Sequence, residues 1–187
     1  VLQDTFRNYP PVILGHEFAG TVVEVGSQVT GAKVGEKVAC LGATAVTCGQ
    51  CSYCIEGNFI FCANRRGMGH GVNGGFARYV VMRPDQLYRV PPDLPLDEAA
   101  LSEPFAAVVQ AVTELTKIRI GDVALVSGPG PMGLLSVKLL VAEGIKTIVT
   151  GAAGDSSRLE AALRFGAAAA IDTSQRNVMD VIRQLGD

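Results

Sequence analysis

Val123-Ala124-Leu125-Val126-Ser127-Gly128-Pro129-Gly130-Pro131-Met132-Gly133 is the stretch whose reading decides the fold. Val123 to Val126 is wholly apolar and short, the pattern of a strand buried on both faces. The glycines that follow match G-x-G-x-x-G, and Pro131 to Glu143 reads as a helix that Gly144 terminates. Working outward, Thr147 to Thr150 is a second strand and Ser156 to Phe165 a second helix, stopped by Gly166. Ala168 to Asp172 is a third strand, the weakest because alanine favours helix, and Asn177 to Leu185 begins a third helix. Strands alternating with helices of this length imply right-handed parallel βαβ units, half of a doubly wound sheet.

In that setting the glycines have a chemical reading. They permit a tight turn, close approach of backbone to a pyrophosphate, and close packing of helix on strand. The anion would rest on the helix N-terminus, which assigns Gly128, Gly130, Pro131, Met132 and Gly133 to cofactor binding; a glycine turn with no ligand is the alternative. Where a second strand usually ends in an acid that takes the ribose of NAD, this chain has Gly151. Either Gly151 makes room for a 2′-phosphate contacted by Ser156, Ser157 or Arg158, giving NADP, or Asp155 folds back to the ribose, giving NAD. Both stay open, with NADP preferred.

Upstream the texture differs. Phe105 to Thr116 has helical spacing, but residues 12 to about 103 read as β-rich. Thr21 to Val25, Lys37 to Cys40 and Phe76 to Met82 are strand candidates. Between them lies a long stretch rich in Gly, Cys and Asn, which needs its own source of order. Four of the five cysteines supply one, spaced Cys48-x2-Cys51-x2-Cys54-x7-Cys62. Zinc takes four thiolates presented on tight turns at such gaps. Disulfides fit an odd total poorly, a redox pair leaves two thiols unexplained, and an iron–sulfur cluster needs electron-transfer partners nothing else suggests. With all four positions filled by cysteine, such a zinc is structural. Cys40 falls outside the pattern and reads as an ordinary buried thiol.

Gly15-His16-Glu17 is a weak signal alone, and His70, in Gly-Met-Gly-His-Gly, reads as a loop residue with no role. In order, though, GHEFAG, a strand, GEKV, the four cysteines, GGFARYV and EPFAAVVQAV resemble the zinc-dependent medium-chain dehydrogenases of the alcohol dehydrogenase superfamily, in their sorbitol- and threonine-dehydrogenase-like branch. The resemblance spans residues 10 to 133. It implies a GroES-like β domain over residues 1–107, with a structural zinc lobe at 41–66, joined to a partial Rossmann domain over 108–187, the active site lying in the cleft between. It implies a second, catalytic zinc held by His16 and Glu17, with Glu103 as the remaining site residue near that ion. The family's first catalytic ligand, a cysteine, lies further upstream than this chain reaches, as does the neighbouring Ser/Thr relay residue. The expectation is therefore a piece of a longer chain, inactive by itself, from an enzyme that moves hydride between a polyol or other secondary alcohol and NAD(P) and assembles as a dimer or tetramer. An acid beside Pro104 is otherwise an ordinary helix opening. The rival readings are a reductase of the superfamily without catalytic zinc, and a non-enzymatic zinc module that binds a macromolecule.

Composition narrows the classes. Of the 187 residues, 48% are apolar and 18% charged, which suits a globular protein with a core. A net charge of −2 offers no basic field for nucleic acid or an acidic membrane. No apolar run approaches a membrane span and nothing reads as a secretory leader, so a cytoplasmic location is expected.

Overall fold

The computed structural model describes residues 10–119 and 121–185. The loop-like reading of Asn8-Tyr9 lies outside them. The chain divides into two compact units, Val1–Glu103 and Pro104–Asp187.

The first unit is built on β1 (Ala19–Thr21) and β2 (Lys37–Cys40). Next come a four-residue helix α1 (Ser52–Ile55), then β3 (Leu87–Arg89) and α2 (Leu96–Ala99). The strands form one antiparallel sheet in the order β1-β2-β3, with Ala19 opposite Ala39 and Ala39 opposite Tyr88. Central β2 buries Val38, Ala39 and Cys40, and α2 packs over the sheet through Ala99, 1% exposed. Burial pushes the Cys40 thiol up to about 11, so it stays protonated and inert. Two expected strands need correction. Thr21 to Val25 is strand only as far as Thr21, because backbone bonds between Val22 and both Gly35 and Glu36 close the ladder before a turn. Phe76 to Met82 is no strand. Its first amide bonds Leu14, but beyond that it has no ladder among the described residues, and Val81 is 97% exposed.

Helix α3 (Ser102–Val109) begins at the end of the first unit and runs into the second, where it continues as a π-helical turn over Gln110–Glu114. The expected single helix over Phe105 to Thr116 thus starts earlier and widens, with Leu115 bonded back to Gln110. Then follow β4 (Val123–Ser127), α4 (Pro131–Ala142), β5 (Lys146–Gly151), α5 (Ser156–Arg164), β6 (Ala169–Asp172) and α6 (Val178–Leu185). The sheet is parallel, in the order β4-β5-β6, with Gly151 opposite Asp172.

Alternate residues of β5 serve opposite faces. Val149 joins Val137 of α4 and Leu159 and Ala162 of α5 in one buried cluster. Its neighbour Ile148 joins Ile171 and Val181 of α6 in another. Helices therefore cover both faces, as a doubly wound sheet requires. Full burial of each such side chain is worth roughly 1.5–3 kcal/mol, which is how alanine-rich β6 is held as strand against its helical propensity. No helix among the described residues is long and apolar enough to cross a membrane.

Candidate functional site

Three groupings of functional side chains stand out, two in the first unit and one in the second. The first gathers Cys48, Cys51, Cys54 and Cys62, whose sulfurs all lie within 4.8 Å of one another. Cys51 caps α1, Cys54 sits inside it, and a 3-10 turn over Phe59–Phe61 delivers Cys62. Paired backbone bonds between Val46 and Arg66 close the lobe at its base, and Arg65 Nη1 donates to Ala43 O at 2.7 Å. Cys48 Sγ and Cys54 Sγ stand 3.9 Å apart. A disulfide needs about 2.05 Å, whereas thiolates at about 2.3 Å from one tetrahedral ion sit about 3.8 Å from each other. The donor set fits zinc. The electrostatics agree: the Gln50 and Cys51 amides lower the Cys48 thiol to about 6. Cys51, despite a bond from the Cys54 amide, is pushed up to about 11 by desolvation and the neighbouring thiols. One thiolate suppresses the next unless a cation offsets their charge.

The second grouping is His16, Glu17 and Glu103, which each bring a ligand atom to within 4.8 Å of the others. Glu103 arrives from the first turn of α3, while His16 and Glu17 follow Gly15 in a loop. That loop lies on a platform of glycines. Gly74 and Gly75 donate to Ile13 O and Gly15 O, each at 2.8 Å, and Phe76 N to Leu14 O at 2.9 Å. A Cβ on Gly69 would fall 2.8 Å from Gly15 N, and one on Gly75 would strike the Phe18 ring. Backbone therefore meets backbone directly beneath His16. Burial raises the pKa of Glu103; His16 partly offsets this and Glu17 adds to it. A divalent cation would relieve two carboxyls held so near one another, so this donor set also fits a metal.

Beside it stands a residue to which the sequence reading gave no role. The ring of His70 lies 6.3 Å from that of His16, edge to face at 85°. Its signal was present in Gly67-Met68-Gly69-His70-Gly71, where alternating glycines mark close approach of another segment.

The third grouping is the turn between β4 and α4. Gly128 N bonds Thr150 O at 2.9 Å, Gly130 caps α4 and Pro131 opens it. Nothing lies within 4 Å of where a Cβ on Gly130 would stand, which leaves that face open. Met132 is 46% exposed. At the end of β5, Gly151 adjoins Pro129, Asp155 and Leu159, whose atoms stand 3.1–3.2 Å from the position of a Cβ. Its missing side chain makes room first for protein atoms. Asp155 accepts from Ala152 N at 3.0 Å and from Arg158 Nη1 at 3.1 Å, so the acid and the base between which the cofactor choice lies are paired with each other.

The family profile of the alcohol dehydrogenase GroES-like domain matches residues 2–92. The chain is 39% identical to the sorbitol dehydrogenase of Halalkalibacterium halodurans, over 96% of its own length and 53% of that protein. Its first half carries an alcohol dehydrogenase GroES-like domain. Among solved structures, galactitol-1-phosphate dehydrogenase from Escherichia coli superposes with a TM-score of 0.82 at 30% identity, over 95% of this chain and 51% of that one. A Sinorhizobium meliloti protein named as a zinc-binding dehydrogenase and solved with NADP bound gives 0.84 at 34%, over 92% and 49%. The chain spans about half the length of the curated relatives it matches. These similar structures carry the resemblance seen in the motifs to the level of the fold: a GroES-like domain followed by part of a Rossmann sheet.

Proposed function

We propose that this chain carries the metal and nucleotide elements of a zinc-dependent oxidoreductase that exchanges hydride between a polyol or similar secondary alcohol and NAD(P). The observation that supports the reading is the meeting of Glu103 with the adjacent pair His16 and Glu17, at least 86 positions earlier in sequence, with one ligand atom from each within 4.8 Å of the others. Such a reaction needs an activated hydroxyl and a hydride acceptor. The first unit has residues for the former and the second unit for the latter.

His16 and Glu17 would hold the ion, which supplies Lewis-acid polarisation of the substrate hydroxyl when bound. Glu103, its carboxyl made more basic by burial, is suited to hold the proton that leaves that hydroxyl. The open backbone of Gly128 and Gly130 and the N-terminus of α4, which Gly133 lets pack against Gly128, would seat the pyrophosphate, with Pro131 and Met132 flanking it. For the adenosine end we favour NADP. Arg158, whose side chain is 60% exposed, meets Asp155 through Nη1, and its guanidinium carries further N–H donors for a 2′-phosphate. The polyol preference is supported by the relatives named for sorbitol and galactitol-1-phosphate. The four-cysteine zinc would order the lobe and take no part in the reaction.

Metal analysis of the full-length protein, together with its nucleotide binding, tests this. Two zinc ions per chain, falling to one in His16→Ala, and fluorescence-detected binding of NADPH are expected. A single zinc unaffected by His16→Ala would end the catalytic-metal reading, and absence of binding by either NADPH or NADH would end the oxidoreductase reading.

A further inference from the structure

At the base of the four-cysteine lobe lies a cavity of about 320 Å³, lined by the segments 46–48 and 63–66. Paired backbone bonds between Val46 and Arg66, of 2.9 and 3.0 Å, clasp the two segments, so main chain sets its width. Of the four cysteines only Cys48 lines it, which separates it from the point where the thiols converge. Its polar groups are one-sided: the guanidiniums of Arg65 and Arg66, the amide of Asn64 and the hydroxyl of Thr47, with no carboxylate among the described residues that line it. In a chain of net charge −2 this is a local excess of positive charge.

Arg65 is half-buried, and its Nη1 donates to Ala43 O at 2.7 Å. That bond steadies the guanidinium and uses one of its five N–H donors. Arg66 is exposed and is not without a partner of its own. The cavity asks only part of the donor set of each. A carboxylate presents one edge, which a single guanidinium fork satisfies. A phosphate monoester carries roughly −1.5 to −2 charges at neutral pH and three acceptor oxygens, enough to engage both arginines with the amide and the hydroxyl. The volume falls at the small end of the range for small-molecule sites, roughly 300–1,000 Å³, and leaves space beyond a phosphate group.

We propose that this cavity binds a small phosphate monoester, its phosphate held by Arg65 and Arg66 with Asn64 and Thr47 completing the shell. The proposal is independent of the oxidoreductase reading, because the cavity is formed wholly within the first unit.

Calorimetric titration of the zinc-loaded full-length protein, with NADPH in excess to fill any nucleotide seat, tests it. Glycerol 3-phosphate should bind, inorganic phosphate should bind several-fold more weakly, and glycerol should not bind. Arg66→Ala should weaken the ester roughly tenfold or more, the scale of charge-assisted hydrogen bonds. Arg65→Lys, which keeps the charge and loses the fork, should weaken it less than Arg65→Ala. Zinc content reports whether the lobe is folded. Arg66→Ala, an exposed position, carries the test if loss of the bond to Ala43 unfolds the lobe in Arg65→Ala. Failure of glycerol 3-phosphate to bind, or binding unchanged in folded Arg66→Ala, would overturn the proposal. Inorganic phosphate binding as tightly as the ester would overturn it in favour of the free ion.

Discussion

Gly133, in the first turn of α4, lies so close to the carbonyl oxygen of Gly128 that a Cβ cannot be placed between them. Helix and strand are drawn together by the absence of one methyl group. Gly133→Ala must push α4 away from β4, an overpacking cost of about 1–3 kcal/mol. A fall in the midpoint of thermal unfolding, with loss of NADPH binding, is expected. Gly130→Ala, where the same methyl would meet open space, should leave the midpoint nearly unchanged and weaken nucleotide binding alone.

Cys54 is buried inside α1, and its replacement removes one of four converging thiols. Cys54→Ser should lose the lobe's zinc and expose residues 41–66 to limited proteolysis, because metal binding and ordering of such a lobe are one event. In metal-free protein the thiols should differ in reactivity. With Cys48 near 6 and Cys51 near 11, alkylation at neutral pH should label Cys48 first and spare Cys51. Because the Cys48 value is lowered from 9.0, its stabilising effect is complete above that pH and lost as pH falls through about 6. Chemical unfolding of the metal-free chain across that window measures the decline.

Glu103 should act in opposite senses with and without metal. Burial raises its pKa, so its contribution to folding is complete below the ordinary value of 4.5 and is lost as pH rises through the raised one. Metal-free Glu103→Gln should accordingly be more stable than the native chain at neutral pH, the difference vanishing in acid. Its affinity for cobalt at this site should drop, by about tenfold or more. Unfolding curves at two pH values and a cobalt titration followed by absorbance check the two halves.

Arg158 and Asp155 form an exposed pair whose rupture costs little. Arg158→Ala should weaken NADPH binding by roughly tenfold while leaving NADH nearly unaffected. Equal loss for both nucleotides would show that the arginine does not read the 2′-phosphate.

Much of the second unit could be read from sequence because its pattern is local. Strand, glycine turn and helix follow one another along Val123–Gly144, and each boundary has its own chemical cause. The first unit was less legible. Leu87–Arg89, a strand no periodicity announced, is one because it pairs with Val38–Cys40 from far away in sequence. Phe76 to Met82 has the composition of a strand but, beyond the bond from Phe76 to Leu14, no ladder among the described residues. His16, Glu17 and Glu103 could be named from motif order, but their meeting depends on the path of the chain between them. His70 went unread because its neighbour in space is 54 positions earlier.

The union of Gly15 with Gly69 and Gly74 is made of main chain on both sides, so nothing in it can be tuned by exchanging side chains. The perch of His16 is in that sense a fixed jig. What can vary is the set of groups mounted around the jig, among them the imidazole at position 70 and the phenyl ring at 76. Single replacements there would leave the main-chain seat itself unaltered.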